Sequence, residues 1–269
     1  MIVVTGATGN VGQPLVRALV AAGEEVTAVS RRAVDVPGAR AFQADLATPS
    51  SLRPALTGAD VVFLLTTGDL LGADLTPVLS EVRSSGVERV VLLSSQGVGT
   101  GHHPSFLEDA VRAAGLGWTM LRPGGFHSNT LQWAESVRVH REVAAPFGDT
   151  ALPTIDPADI ASVAAVVLRD PAAHEGAVYE LTGPAPVSPR DQVAAIAAVV
   201  GEPVRFVERT RAEARAAMLR FMPEPVADST LEILSSPAFQ QVSPVVSQLL
   251  GRRGRTFASW AADNAAAFK

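Results

Sequence analysis

Three glycines, each separated from the next by two residues, occupy residues 6–12, immediately after the first apolar run of the chain. That run, at residues 2–5, is rich in β-branched side chains, as buried strands are. The residues after the third glycine carry apolar side chains at helical spacing, at Leu15, Leu19 and Ala22. A strand, a glycine turn and an amphipathic helix in this order open a βαβ unit, which restricts the chain to folds that contain a parallel sheet.

Short apolar runs and longer segments of helical spacing alternate along the first half of the chain. We predict strands at residues 2–5, 26–30, 61–66, 90–94 and 119–121. We predict helices at residues 12–22, 50–56, 73–85 and 105–114. Nearly continuous apolar strands that alternate with helices indicate a parallel sheet covered on both faces. The expected fold class is therefore α/β, with a doubly wound (Rossmann) parallel sheet.

The pattern becomes less regular beyond Pro123. We predict further helices at residues 131–140, 159–168 and 189–200 and a strand at residues 177–181. From residue 202, prolines separate short helical pieces. We therefore expect a Rossmann domain at residues 1–150, with its sheet completed by residues 151–200, and a smaller, mainly helical lobe at residues 201–269. Open α/β sheets bind ligands outside the carboxyl ends of their strands, so this C-terminal lobe is expected to cap the substrate crevice.

Composition excludes several classes of protein. The formal charge of −5 at pH 7 argues against binding nucleic acid through a basic face. The chain has no cysteine, which excludes disulfides and thiol catalysis and is typical of a reducing cytoplasm. Its first apolar stretch is too short for a secretory signal, and no run reaches the roughly 18 apolar residues of a membrane helix. We expect a soluble, cytoplasmic protein that acts on neither nucleic acid nor membranes.

Three polar clusters are interpreted as structural. The basic segment at residues 252–255 is expected to be a solvated loop. The segment DPADI at residues 156–160 is typical of the start of a helix rather than of a pair of catalytic carboxylates. His102, His103 and His127 have no carboxylate at a spacing that suits a metal centre, so no metal is expected.

The segment TGATGNVG is typical of a loop that binds the phosphates of a dinucleotide. Glycine permits the tight turn, the close approach of backbone to a pyrophosphate and the close packing of helix on strand. The N-terminus of the following helix offers N–H groups and the positive end of its dipole to phosphate. An ordinary turn between strand and helix is the alternative. Candidate cofactor-binding residues in the loop are Gly6, Thr8, Gly9, Asn10, Val11 and Gly12.

The end of the second predicted strand indicates which dinucleotide is bound. Arg31 and Arg32 stand where an acidic residue normally holds the ribose hydroxyls of NAD. A guanidinium at this point pairs bidentately with a 2′-phosphate, so NADP(H) is favoured over NAD(H). The alternative is that both arginines are solvated surface residues. Contacts with the adenine, the adenosine ribose and the pyrophosphate are expected beyond the third and fourth strands, at Asp45, Leu46, Leu65, Thr66 and Thr67.

Several segments, in this order along nearly the whole chain, together carry a resemblance: TGATGNVG, VSRR, QADL, VVLLSS, LRPGGFHSN, TIDPADIAS and GAVYELTGP. The chain resembles the NmrA-like, atypical short-chain dehydrogenases/reductases, and within them the bacterial NAD(P)H-binding proteins of the quinone-reductase kind. That group also contains redox-sensing regulators and tailoring enzymes of aromatic polyketide pathways. The resemblance implies that Pro123 and Gly124 run beside the nicotinamide. It also implies a substrate pocket shaped by Phe126, His127 and Asn129, although Asn129 equally suits a cap of the following helix.

The chain lacks the proton donor of the best-known members of that superfamily. They use a serine together with a Tyr-x-x-x-Lys helix, in which the lysine lowers the pKa of the tyrosine so that the phenol exchanges a proton during hydride transfer. Tyr179 is the only tyrosine and lies in the segment YELTGP, and Lys269, the only lysine, is the last residue. We therefore do not expect an alcohol-dehydrogenase reaction.

Polar residues after the fifth and sixth strands are the candidates for the reacting centre. Ser94 is expected to contact the cofactor. Ser95 or Gln96 bonds the carboxamide or a substrate oxygen, unless it caps the following loop. His103 and His127 suit proton donation because histidine titrates near neutral pH, whereas exposed loop histidines are the alternative. We predict Ser95, His103 and His127 as catalytic residues and place in the substrate pocket Gln96, Phe126 and Asn129.

The expected function is an NAD(P)H-dependent oxidoreductase that reduces a quinone or a similar conjugated or aromatic carbonyl by hydride transfer. Quinone reduction needs little proton transfer from the protein, so positioning of the nicotinamide suffices. Two alternatives stay open: a monooxygenase-like tailoring enzyme that uses NAD(P)H and O₂, and a non-catalytic NADP(H) sensor. The expected partner is a small aromatic or quinone-like molecule, and the sequence does not indicate an oligomeric state.

Overall fold

The computed structural model describes residues 1–32, 36–66 and 73–269, so the predicted cofactor contact Thr67 lies outside the described residues. The strands are β1 (Ile2–Thr5), β2 (Val26–Ser30), β3 (Arg40–Gln43), β4 (Val61–Leu64), β5 (Arg89–Leu93), β6 (Gly117–Pro123), β7 (Glu142–Ala145), β8 (Val178–Leu181) and β9 (Arg205–Glu208). Seven of them form a sheet in the order β3-β2-β1-β4-β5-β6-β8. The pairings from β3 through β6 are all parallel. The predicted doubly wound α/β class is confirmed.

Helices lie in all seven segments where the apolar spacing predicted them. In the first half they are α1 (Gly12–Ala21), α2 (Arg53–Leu56), α3 (Thr76–Ser84), α4 (Gln96–Gly99) and α5 (Phe106–Ala113). In the second half they are α6 (Ala134–His140), α7 (Pro157–Arg169), α8 (Pro189–Val200), α9 (Arg211–Met218), α10 (Glu224–Ser235), α11 (Val245–Leu250) and α12 (Phe257–Asp263). Of these, α4 and α9–α12 were not individually predicted. Across the described ranges, no helix is both long and apolar enough to cross a bilayer.

The chain divides into two compact units. The first comprises Met1–Val98, Pro104–Pro123 and Pro157–Glu180, and the second comprises Gly99–His103, Gly124–Asp156 and Leu181–Lys269. The units are interleaved along the chain, whereas the sequence predicted one lobe that begins at residue 201. Hydrophobic periodicity reports only which side of each helix or strand is buried. It does not show which distant segments pack together in one unit.

The first unit contains the parallel sheet and the core beneath it. Val3, Val62 and Val90, on neighbouring strands, are at most 1% exposed and belong to one apolar cluster. Leu15 and Leu19 of α1 are also fully buried, as their helical spacing predicted. Burial of this kind stabilises a fold by about 25 cal/mol for each Å² of apolar surface removed from water.

The second unit has its own small sheet and its own core. Strands β7 and β9 pair in parallel, with Val143 opposite Phe206. Trp260 of α12 lies in a buried cluster with Ile196 of α8 and Phe268. The strand β9 was not predicted, since four residues whose partner strand lies about 60 residues earlier carry too weak a local signal.

Candidate functional site

The glycine loop is folded tightly onto the start of α1. The backbone N–H of Gly9 donates to the carbonyl of Gly6 at 2.9 Å, and the N–H of Ala7 donates to the carbonyl of Val29 at 3.1 Å. Gly6 has a φ of +63°, in the left-handed region that favours glycine. A Cβ on Gly12 would lie 2.1 Å from the carbonyl oxygen of Gly6 and 2.9 Å from the Cα of Ala7. Only a residue without a side chain permits this packing of helix on loop.

This geometry fits the phosphates of a dinucleotide. The loop is exposed at residues 8–10, and α1 is ten residues long with no side chain hydrogen bonded as its N-terminal cap. Backbone N–H groups and the helix dipole therefore meet at one end of β1, which is the arrangement that binds a pyrophosphate.

The end of β2 presents two guanidinium groups. Arg31 and Arg32 are exposed, and among the described residues neither side chain has a hydrogen-bond or ion-pair partner. Their backbone is nevertheless fixed: the side-chain amide of Gln43 donates to the carbonyl of Arg31 at 3.2 Å, and the hydroxyl of Ser30 donates to the carbonyl of Arg32. Two charged side chains thus project from a stable strand end.

The ends of β3 and β4 hold the other predicted adenosine contacts. The carboxylate of Asp45 accepts the backbone N–H of Ala47 at 2.9 Å, and Leu46 is partly buried against the core. The N–H of Leu65 donates to the hydroxyl of Thr5 at 2.9 Å, and the side chain of Leu65 covers Gly6. Thr66 is 9% exposed. The end of β4 therefore lies directly against the glycine loop.

A buried carboxylate joins the ends of β5 and β6. Glu108 of α5 is 0% exposed, and its Oε1 accepts the hydroxyl of Ser94 at 2.6 Å and Nε of Arg122 at 2.8 Å. Its Oε2 accepts Nη2 of Arg122 at 2.8 Å and Nη2 of Arg112 at 2.9 Å. Burial by itself raises the pKa of Glu108, but the hydrogen bonds from Arg122 and Ser94 and the charge of Arg122 outweigh it, so that the pKa lies below its ordinary value.

Sequence reasoning missed this cluster. Glu108 stands three residues before Val111, which places both on the buried face of α5. A charged residue on the apolar face of a predicted helix is the signal that could have found it. Ser94, which we predicted as a cofactor contact, belongs to the cluster because its hydroxyl donates a hydrogen bond to Glu108.

Ser95 and Gln96 lie at the start of α4. The hydroxyl oxygen of Ser95 accepts the N–H of Gly97 at 3.1 Å, which is the capping contact that the sequence left open. Gln96 is 5% exposed.

The two loop histidines belong to the second unit. His102 packs edge-on against Phe239, with ring centroids 5.1 Å apart, and its Nδ1 lies 3.0 Å from the hydroxyl of Thr100. Burial lowers the pKa of His103, and the charge of His102 lowers it further. Both effects favour the uncharged form of the His103 ring.

His127 is buried inside the second unit, at 1% exposure. Its Nδ1 lies 2.9 Å from the hydroxyl of Thr154, and its Nε2 lies 3.5 Å from the carbonyl oxygen of Arg255. A carbonyl only accepts, so the contact with Arg255 requires a proton on Nε2. The ring also packs edge-on against Phe257, with centroids 5.2 Å apart. These contacts tie His127 to the interior of the unit.

The segment after β6 places the remaining predicted pocket residues. Pro123 ends β6 and is buried, and the N–H of Gly124 donates to the carbonyl of Leu181 at 2.9 Å. Phe126 precedes a 3₁₀ helix, His127–Trp133, and is partly exposed. Asn129 is an exposed residue within that helix, so the alternative that it caps the helix is wrong.

The single tyrosine is occupied by a neighbour in its own unit. The hydroxyl of Tyr179 lies 2.8 Å from Nδ1 of His174. Lys269 is the exposed last residue of the second unit. No lysine therefore accompanies the tyrosine within the first unit.

The basic segment near the C-terminus is only partly solvated. Nε of Arg255 donates to Asp156 at 2.6 Å, and a second bond reaches Asp263. Asp156 is 4% exposed. The prediction of a wholly solvated loop is wrong for Arg255, because a buried carboxylate requires a paired cation. Among the residues that the structure describes, no group of three or more histidine, aspartate or glutamate side chains is arranged to hold a metal ion.

Comparison with known proteins agrees with this geometry. The model of a family described as NAD(P)H-binding matches residues 6–171. The chain is 36% identical over 282 residues to the (4-alkanoyl-5-oxo-2,5-dihydrofuran-3-yl)methyl phosphate reductase of Streptomyces griseus, covering 100% of this chain and 99% of that protein. It is 34% identical over 293 residues to the NAD(P)H azoreductase of Xenophilus azovorans, with the same coverage. The crystal structure of an NADPH-dependent quinone oxidoreductase from Escherichia coli in complex with NADPH shares the fold, with a TM-score of 0.83 at 24% identity over 98% of this chain and 99% of that one.

Proposed function

The chain belongs to the NAD(P)H-binding family, and on that premise we propose that it is an NADPH-dependent reductase of quinones or similar conjugated carbonyl compounds. The observation that carries the proposal is a tightly packed glycine loop, of a geometry that suits a dinucleotide, in a unit whose only tyrosine is bonded to His174 and has no lysine beside it. The names of the relatives support the substrate class. One reduces azo compounds, and the other reduces a lactone whose ring double bond is conjugated with its carbonyls.

The preference for NADPH is proposed from the end of β2. Arg31 and Arg32 are free to meet a 2′-phosphate, because no described carboxylate neutralises either of them. A guanidinium binds phosphate through two parallel N–H donors, whereas it offers nothing comparable to a ribose hydroxyl. These arginines therefore increase the affinity for NADP(H) relative to NAD(H).

The remaining cofactor contacts are proposed along the carboxyl edge of the sheet. The backbone of residues 6–12 binds the pyrophosphate, and Asp45, Leu46, Leu65 and Thr66 contact the adenosine half. Ser94 and Pro123 end β5 and β6, and Glu108 holds both strand ends through Ser94 and Arg122. A rigid edge of this kind positions the nicotinamide, and positioning alone contributes much of a rate enhancement.

The proposed reaction requires few catalytic groups from the protein. A bound nicotinamide provides a hydride, so one quinone, one hydride and one proton give one hydroquinone. Phenolic oxygens have a pKa of about 10, so water protonates the product at neutral pH without a dedicated acid. Neither His103, whose pKa is lowered, nor the buried His127 therefore has to deliver the proton.

The proposal is tested by following NADPH oxidation with the purified protein and a panel of benzoquinones, naphthoquinones and polycyclic quinones, with and without oxygen. The Gly12→Ala variant, which cannot pack its loop, serves as the blank for non-enzymatic reduction. We expect NADPH consumption under anaerobic conditions with one hydroquinone formed for each NADPH oxidised.

Two other outcomes would replace the proposal. Oxygen uptake with a hydroxylated product would assign the chain to the monooxygenase-like tailoring enzymes. Saturable NADPH binding without consumption on any quinone would assign it to the non-catalytic sensors.

A further inference from the structure

The second unit contains a cavity of about 230 Å³ that the proposed hydride transfer does not explain. One wall is the segment that follows β8, at Thr182, and the other is formed by residues around Ser243 and Arg253. We propose that this cavity binds a phosphate monoester, as the anionic group of a substrate. The proposal deepens the proposed function and, in its role for substrate, rests on it.

The charge of the lining favours an anion. Of the residues that line the cavity, all within the described ranges, Arg253 is the only charged one. Its guanidinium has no hydrogen-bond or ion-pair partner among the described residues. Arg255, two residues further on, is in contrast occupied by Asp156 and Asp263. A guanidinium stays charged at every physiological pH and its fork of donors matches phosphate oxygens, so Arg253 gives the cavity a permanent positive charge.

The first wall is rigid. Thr182 is 1% exposed, and its hydroxyl oxygen accepts the N–H of Ser243 at 2.9 Å. The N–H of Gly183 donates to the carbonyl of Pro153 at 2.9 Å, and a Cβ on Gly183 would lie 2.0 Å from the carbonyl oxygen of Thr154. The hydrogen bond between Thr182 and Ser243 therefore joins the two walls directly to each other.

The second wall adds a hydroxyl donor. The hydroxyl oxygen of Ser243 accepts the N–H of Val245 at 3.3 Å, and its own proton has no acceptor among the described residues. Ser243 and Arg253 can therefore both donate to one oxyanion. The three terminal oxygens of a phosphate monoester accept more hydrogen bonds than the two of a carboxylate, which favours phosphate.

The volume fits an anionic group rather than a whole substrate. Pockets for drug-sized ligands span about 300–1,000 Å³, so this cavity holds a small group or one end of a larger molecule. A phosphate with the carbon that bears it is of that size. The conjugated part of such a substrate would extend out of the cavity.

The binding test uses the full chain saturated with NADP⁺ and without quinone, so that the proposed dinucleotide site does not itself bind the added phosphate. Titration calorimetry compares inorganic phosphate, phenyl phosphate and acetate with the wild type, with Arg253→Gln and with Arg220→Gln, an exposed arginine that does not line the cavity. We expect both phosphates to bind the wild type and Arg220→Gln alike. Arg253→Gln should weaken them roughly ten- to hundredfold, as expected for losing hydrogen bonds to a charged group.

Three results would overturn the proposal: no phosphate binding by the wild type, unchanged affinity in Arg253→Gln, or acetate bound as tightly as phenyl phosphate. Thermal unfolding of each variant shows that the fold is intact, and Arg253→Lys, which keeps the charge, should retain part of the affinity.

A kinetic test separates this proposal from the proposed function. It compares KM for a conjugated carbonyl substrate with and without a phosphate ester, in the wild type and in Arg253→Gln. We expect the variant to raise KM for the phosphorylated compound alone. Turnover without a phosphate effect would overturn the role of the cavity in substrate binding and leave the reductase intact. Phosphate binding without any turnover would contradict the reductase and leave the phosphate site.

Discussion

Arg122 binds the buried carboxylate of Glu108 through two hydrogen bonds of 2.8 Å, one to each carboxylate oxygen. The pair joins α5 to the end of β6. Ser94, which follows β5, donates a hydrogen bond to the same carboxylate. A buried charge is tolerated only when its hydrogen bonds are satisfied. The pair therefore maintains the edge at which we propose the nicotinamide lies.

The first prediction follows from breaking this pair. Glu108→Gln should lower the free energy of unfolding by about 3–5 kcal/mol, because it leaves Arg122 charged and partly buried without its carboxylate. Urea unfolding measures the loss. Asp149→Asn, which breaks the exposed ion pair with Arg190, is the control and should cost much less. Equal losses in the two variants would contradict a special role for the buried pair.

The second prediction concerns acid. Because the folded pKa of Glu108 lies below its unfolded value of about 4.3, its contribution is complete above that pH and is lost as the pH falls through the folded pKa. The difference in unfolding free energy between wild type and Glu108→Gln should therefore be constant near pH 7 and shrink below about pH 4. Unfolding curves across this range measure it, and a difference that grew in acid would contradict the assigned direction.

The third prediction concerns the choice of cofactor. Arg31→Ala combined with Arg32→Ala should weaken NADPH by about 1.5–3 kcal/mol for each charged hydrogen bond lost and leave NADH unchanged. Fluorescence titration with each dinucleotide measures both affinities. Arg17→Ala, an exposed arginine on α1, is the matched control. A parallel loss for NADH would remove both arginines from a phosphate-binding role.

The fourth prediction concerns the glycine loop. Gly12→Ala places a Cβ 2.1 Å from the carbonyl oxygen of Gly6, so the start of α1 or the backbone of the glycine loop must move. Overpacking of this kind costs about 1–3 kcal/mol of stability. We expect NADPH affinity to fall at least about tenfold, since the displaced loop is the proposed phosphate cradle.

Gly125→Ala provides the control for this variant. Its added Cβ would meet only a methyl carbon of Thr154, at 3.5 Å, an ordinary contact. Thermal unfolding should therefore show little change for Gly125→Ala and a clear loss for Gly12→Ala. If NADPH bound Gly12→Ala as it binds the wild type, the loop would not be the phosphate site.

The resemblance to NAD(P)H-binding proteins, drawn from short segments in order, is confirmed by the family that the chain matches. The parallel sheet is confirmed as well, including its strands at Ile2–Thr5 and Val26–Ser30. Both depend on local patterns. A strand buried on both faces carries nearly continuous apolar side chains, and a helix buried on one side repeats them every three to four residues, so both patterns are legible in the chain itself.

Other features required the folded chain. Arg255 donates a hydrogen bond to Asp156, which lies 99 positions earlier in the chain. We expected Arg255 to lie in a solvated loop, but it is part of an ion pair with this buried carboxylate. His127, predicted as a catalytic residue, lies between Thr154 and the aromatic side chains of Phe257 and Trp260. Nothing in the residues beside His127 indicates those partners.

By itself, the sequence determined the fold class, the glycine loop and the lack of a tyrosine–lysine pair, because each is a matter of residue type at short spacing. Only the tertiary structure decided that Glu108 clamps Ser94 and Arg122, and that Arg253 faces a cavity while Arg255 does not. The physical reason is that a charged side chain finds an ion-pair partner in a distant segment of the chain only if that segment packs next to it. That meeting is set by the packing of the whole chain rather than by the residue's own neighbours.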